Sequence, residues 1–253
     1  MNNKDRIRKL FNRSADSYDQ AATAQQHILK SLLAQPLPKQ PKVILDLGCG
    51  TGNAIPILRQ RYPNATIISC DIAENMLKTA QRKYNDNQIT WLCADMESLP
   101  IAGHQVDLII SNLAIQWSQS FSTLVYQCQR ILKPTGAFYF ATLSPDTLPE
   151  LQYATKRGLN QYYPPSALQK ILKQQHFTNI ILQNQTHIEY FLTCRDVLHN
   201  LKQLGAQHHP KRPRHLARKR DLDTLFNRYQ QFCLPDGRIP MTYRVIIGRA
   251  SVL

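Results

Sequence analysis

Asp46, Gly48, Gly50, Gly52 and Asp71 are the residues whose types and spacing point most directly to chemistry. The run Val43-Ile44-Leu45 is apolar and partly β-branched, ends at Asp46, and is followed by glycine at 48, 50 and 52. Such a run predicts a buried strand, a tight turn and then a helix. Glycines remove side chains where a ligand must lie against the backbone and allow positive φ in the turn. The helix that follows presents free N–H groups, and Asp46 places a negative charge at the strand end. The pattern suits a ligand with both a polar face and a positive group. Glycines at this spacing also make a plain tight turn. A dinucleotide site uses a related G-x-G-x-x-G pattern, with pyrophosphate on the helix N-terminus. Here the third glycine falls one place early, and Asp46 would repel phosphate.

A cationic ligand without phosphates fits better, and S-adenosylmethionine (SAM) has a sulfonium, an ammonium and an adenosine. The following residues extend this reading. Ala65 to Cys70 reads as a second strand ending in Asp71, about twenty residues past the glycines, where an acid meets ribose hydroxyls in such folds. Ile72 and Met76 follow, Met76 on a helix expected over residues 73–83. A third apolar run, Ile89 to Ala94, ends in Asp95-Met96, where the acid can accept from an exocyclic amine while the methionine packs on a purine. A helix cap is the alternative use of Asp95. A fourth run, Val106 to Ile110, ends in Ser111-Asn112-Leu113. In open α/β sheets ligands bind outside the carboxyl ends of the strands, so four polar strand tips predict one crevice.

The chain resembles the class I SAM-dependent methyltransferases through DLGCGTG at 46–52, DIAENML at 71–77, ADMESLP at 94–100 and SNLA at 111–114. Within that class FNRSADSYDQAA at 11–22, SNLAIQW at 111–117, TLSPDTLPEL at 142–151, LKQLGA at 201–206 and PMTYRVIIG at 240–248 are similar to the malonyl-[acyl-carrier protein] O-methyltransferases of biotin synthesis. Thr135 departs from the class, which usually has glycine at this turn. The resemblance implies an α/β, Rossmann-like fold with a seven-stranded, mostly parallel sheet, helices on both faces, N-terminal helices and a helical lid before the last strand. It implies SAM as methyl donor, no metal, and an acidic acyl carrier protein bearing a malonyl group as partner. A methyltransferase for an RNA base or a quinone-type phenol, and a non-catalytic nucleic-acid binder, are the other readings.

A length of 253 residues fits one domain, expected as a helical cap over 1–35, a SAM-binding core over 42–192, a helical lid over 193–232 and a last strand over 240–250. No apolar run approaches the ~20 residues of a membrane helix. The charged start MNNKDRIRKLF has no apolar h-region, so a cytoplasmic protein is expected. Six scattered cysteines without Cys-x-x-Cys, and eight histidines without metal spacing, predict free thiols and no zinc. Without heptads, a monomer is expected.

The net charge is +14, unevenly spread: residues 1–150 hold 15 basic and 12 acidic residues, and residues 151–253 hold 16 and 5. No acid falls between Asp196 and Asp221, where Lys202, Lys211, Arg212, Arg214, Arg218, Lys219 and Arg220 stand. Such a run attracts an anionic partner. An acyl carrier protein, nucleic acid and plain solvent all fit it.

Elements follow from the same pattern. Residues 4–33 read as a helix in two pieces, broken near Asn12–Ser14, and Pro36, Pro38 and Pro41 lead into the first strand. Strand and helix alternate to about residue 144, which predicts a parallel sheet covered on both faces. A fifth strand is expected over Ala137–Leu143, a helix from Pro164 to Gln175, a sixth strand over Asn179–Ile188 and helices over 193–204 and 216–232. A seventh strand is expected over Thr242–Gly248, antiparallel as the resemblance implies.

By the resemblance, Asp46, Gly48, Cys49 and Gly50 cradle the methionine part of SAM, Asp71 binds the ribose, and Ile72 and Met76 flank adenine. Asp95 and Met96 hold the adenine edge. Asn112, Leu113 and Gln116 line the sulfonium, and Tyr18 closes over the methionine end. Trp117 walls the acyl pocket, and Lys202 or Arg195 pairs with the acceptor carboxylate. That carboxylate is already ionised at neutral pH, so no general base is required.

Overall fold

The computed structural model describes residues 3–156, 162–205 and 219–252. Strands β1 (Val43–Leu47), β2 (Thr66–Asp71), β3 (Ile89–Cys93), β4 (Val106–Asn112), β5 (Leu132–Leu143), β6 (Thr178–Phe191) and β7 (Ile239–Ser251) form one sheet in the order β3-β2-β1-β4-β5-β7-β6. The first five are parallel. β7 runs antiparallel between β5 and β6, with Leu143 opposite Val245 and Gln185 opposite the same residue. This is the Rossmann-like architecture expected from the sequence.

The central strands are apolar without alternation because both of their faces are covered. Ile44, Ile67, Leu108 and Ile110 face one apolar layer with α3 (Thr23–Leu33), α4 (Ile55–Arg61), α7 (Pro149–Thr155), α9 (Cys194–Gln203) and α10 (Lys219–Tyr229). Leu45, Leu47, Ile109, Phe138 and Phe140 face the other, with α6 (Phe121–Ile131) and α8 (Pro165–Gln174). Helix α5 (Glu74–Lys83) packs by β2 and β3 and against the N-terminal α1 (Asn3–Ser14). No helix among the described residues is long and apolar enough to cross a membrane.

The N-terminal segment differs from the two-piece expectation. Three pieces form: α1, a four-residue α2 (Tyr18–Ala21), and α3, with breaks at residues 15–17 and at Ala22. Around the Ala22 break, tertiary partners bond backbone groups of the segment. Asn200 donates to the Ala21 carbonyl at 3.0 Å, Glu189 accepts from Ala24 N at 2.9 Å, and Asn112 donates to the Gln25 carbonyl at 3.0 Å. α7 was not expected. It begins at Pro149, after Leu148 turns the chain with φ +51°. β5 starts at Leu132 rather than 137, with Thr135 at φ +65°, and β6 and β7 are longer than expected because they pair along nearly their whole length. Of the expected helix 216–232, α10 covers 219–229 and a 3₁₀ turn covers Gln230–Phe232; residues 216–218 lie outside the described residues, as do Lys211, Arg212 and Arg214 of the basic run.

Candidate active site

The glycine turn is tied to the neighbouring strand before any ligand is considered. Gly48 N and Cys49 N both donate to the Cys70 carbonyl, at 2.8 and 2.9 Å, and Ser111 Oγ donates to the Leu47 carbonyl at 2.7 Å. Gly48 has φ +75°, and a Cβ there would lie 2.2 Å from that of Ala114. Gly50 has φ +54° with open space where its Cβ would stand, and its N–H donates to Asp71 Oδ2 at 2.9 Å. Asp71 Oδ1 accepts from Ala73 N at 2.8 Å. The loop between β1 and α4 is thereby held open against the acidic tip of β2.

Asp46 lies beneath this loop, 3% exposed, and its Oδ2 has no hydrogen-bond partner. Burial, and then the charge of Asp71, push its carboxyl up to about 7. Burial likewise raises Asp71, opposed by the N–H groups bonded to it. Two acids with one orphaned oxygen beside a bare glycine backbone fit a ligand that brings positive charge and donors. That is the polarity of the SAM ammonium and sulfonium.

A crevice opens at the strand tips, lined by Tyr18, Gly48, Gly50, Asp71, Ile72, Met76, Met96, Asn112, Leu113 and Trp117 among the expected residues. Leu113 has φ +50°, a strained conformation for a branched side chain, and its N–H donates to the Ala141 carbonyl at 2.9 Å. Asn112 keeps a buried Oδ1 with no partner. Cys49 is buried, its Sγ 3.6 Å from the Gly50 carbonyl, and burial raises its thiol well above the ordinary range.

The expected residues Asp46, Cys49, Asp95, Gln116, Arg195 and Lys202 are not among the residues that line the crevice. Asp95 Oδ2 pairs with Lys4 Nζ at 2.6 Å and Oδ1 accepts from Glu97 N at 2.9 Å, so its carboxylate already has partners. Gln116 Nε2 donates to the Leu113 carbonyl at 2.7 Å, next to the crevice. Arg195 and Lys202 are exposed on α9, which packs behind the α2–α3 junction. Lining residues not singled out from the sequence include Ile7 and Phe11 of α1, which with Tyr18 make the N-terminal segment a strap across the strand tips. Phe11 meets Trp117 edge-on, with ring centroids 5.3 Å apart. The i, i+4 spacing of Ile7 and Phe11 on a charged helix is the signal that marks them.

The segments that narrowed the family resemblance meet in space. Asp146 pairs with Arg244; Thr147 Oγ1 accepts from Arg244 N at 3.0 Å. Buried Glu150 accepts from the Thr242 N–H at 3.2 Å and hydroxyl at 2.5 Å. PDTLPEL and MTYR therefore act as one interlocked unit at the tips of β5 and β7.

Comparison with known proteins agrees with this geometry. A family model described as a methyltransferase domain matches residues 45–140. The Methylovorus malonyl-[acyl-carrier protein] O-methyltransferase is 37% identical over 98% of this chain and 88% of its own length. The protein of the same name from Halorhodospira halophila is 32% identical over 96% and 86%. Among solved structures, the methyltransferase in complex with the Trm112 methyltransferase activator of Haloferax volcanii shares the fold, with a TM-score of 0.66 and 16% identity over 97% of each chain. With relatives of this identity spanning almost its whole length, the chain belongs to the malonyl-[acyl-carrier protein] O-methyltransferase family.

Proposed function

We propose that this protein transfers the methyl group of SAM to the free carboxylate of a malonyl thioester on acyl carrier protein, giving the malonyl methyl ester that starts pimeloyl and biotin synthesis. The observation that carries this reading is the near full-length similarity to malonyl-[acyl-carrier protein] O-methyltransferases, which includes the interlocked PDTLPEL and MTYR segments as well as the cofactor loop. SAM supplies a sulfonium-bound methyl carbon open to in-line displacement.

The chain's own residues do the holding. Asp46, with its orphaned oxygen, meets the ammonium, and the Gly48–Gly50 backbone lies along the methionine part. Asp71 accepts from the ribose diol, while Ile72, Met76 and Met96 wall the adenine. Asp95 takes the adenine edge while sharing its carboxylate with Lys4. Tyr18, Phe11 and Trp117 close the crevice and exclude water, so the acceptor oxygen is oriented rather than activated. Tyr18, which lines the crevice, is a donor for the acceptor carboxylate. Arg195 and Lys202, exposed on α9, meet the acidic carrier.

The test is incubation with methyl-labelled SAM and either malonyl-acyl carrier protein or bulk RNA. A base-labile ester on the carrier-bound substrate is expected. Label confined to RNA defeats the reading.

A further inference from the structure

Asp19 plays no part in the site as described, yet it joins the strap to the glycine loop. Its Oδ1 accepts from Thr51 Oγ1 at 2.5 Å and from Asn53 Nδ2 at 3.1 Å, and its Oδ2 pairs with Lys83 Nζ of α5. Lys83 Nζ also donates to the Thr51 carbonyl at 3.0 Å, which closes the ring of contacts. Thr51 is 1% exposed and lies between Gly50 and Gly52. Burial acts to raise the Asp19 carboxyl, but hydrogen bonds from Lys83, Thr51 and Asn53 outweigh it and hold the group below its ordinary range.

We propose that Asp19 is a positioning residue for the methyl-donor pocket: by gripping Thr51, Asn53 and Lys83 it fixes the adjacent Tyr18 over the crevice. The inference rests on the reading that this crevice holds SAM. α2 is only four residues long, with a break on each side, and a helix of that length has no stability of its own. The direction of Tyr18 is therefore set by tertiary contacts. On one side Tyr18 packs with Phe11 against Ala15, Ala73 and Met76, and on the other against Ala21, Ala22 and Leu204. These contacts are apolar and permit sliding. The Asp19 clasp is directional: residues 18 and 19 point about 100° apart around the helix, so an anchored Asp19 fixes the rotation that aims Tyr18. The same clasp holds Thr51, so strap and glycine loop keep one relative position.

The test is a cycle of Asp19→Asn, Tyr18→Ala and the double variant, read by calorimetric SAM affinity and by melting temperature. Asp19→Asn is near isosteric and removes the charge that Lys83 pairs with. Alone it weakens SAM binding about tenfold, the scale of a lost charge-assisted hydrogen bond. In the Tyr18→Ala background it changes SAM affinity little, while its melting-temperature shift is the same in both backgrounds. Equal weakening in both backgrounds, or none in either, overturns the proposal. Should Asp19→Asn fail to fold, Lys83→Met breaks the same clasp from α5 and carries the same expectations. A wild-type protein that does not bind SAM defeats the reading of the crevice, an outcome distinct from failure of the clasp.

Discussion

Asp46 carries a buried carboxyl oxygen with no donor, next to Asp71, and its carboxyl is pushed up to about 7 from an ordinary 3.8. Between those values the folded protein keeps a proton that the unfolded chain releases. Stability without cofactor therefore falls as pH rises through that window and levels above it. Asp46→Asn removes this part of the slope, so thermal unfolding of the ligand-free variant at pH 8 occurs above that of wild type. Parallel melting curves from pH 5 to 8 would show that Asp46 does not titrate this way. A bound ammonium favours the ionised form, so wild-type SAM affinity climbs toward pH 7 and then flattens, and the variant loses that climb. The two crevice glycines make a second, contrasting pair. Gly48→Ala drives a Cβ to 2.2 Å from that of Ala114 in a positive-φ turn and costs roughly 2 kcal/mol or more in urea unfolding. Gly50→Ala meets open space and costs only about 1–2 kcal/mol of backbone strain, but its methyl occupies ligand space and abolishes SAM binding in titration. Equal effects of the two on folding would contradict this geometry. These residues were legible because glycine spacing and acidic strand tips are local signals. The pairing of Asp95 with Lys4 was not, because the partners stand 91 positions apart and only the strap brings them together.

Elements divide the same way. The parallel strands β1 to β4 were readable because each is an apolar run leading to a polar tip, with β1 and β4 covered on both faces. α7 was not, because Leu148 must enter a left-handed conformation before it, a demand that leucine does not announce. What holds α7 is long-range: Glu150 accepts two bonds from Thr242 of β7. Glu150→Ala leaves both part-buried donors without this partner and should cost about 1–3 kcal/mol in urea unfolding. Glu150→Gln keeps an acceptor oxygen and should cost less. If the two variants unfold alike, Thr242 does not depend on this acceptor. The break at Ala22 has the same origin, since Asn200, Glu189 and Asn112 reach in from α9, β6 and β4 for backbone groups on either side of it.

At the scale of the whole molecule the charge is separated from the chemistry. The crevice is lined by Asp71, with Asp46 buried behind it under the glycine loop, which suits a cationic donor. The chain as a whole is +14, and its excess lies in the C-terminal part, with a stretch from 197 to 220 that contains no acid. Under the proposed function, an anionic carrier is drawn by the basic excess and a cationic methyl donor by the acids at the strand tips. Attraction between exposed charges is screened over about 10 Å at 0.1 M salt, whereas a buried pair is screened much less. Raising salt should increase the KM for malonyl-acyl carrier protein and leave SAM affinity nearly constant. Reversing charge at Arg212, Arg214 and Arg218 should reproduce the high-salt KM at low salt and make it insensitive to further salt. The steady-state assay on carrier-bound substrate reads this, with SAM calorimetry as control. A KM for the carrier that neither salt nor charge reversal moves would leave the basic stretch without a role in docking, and the carrier would then be recognised by its acyl arm at the crevice mouth alone.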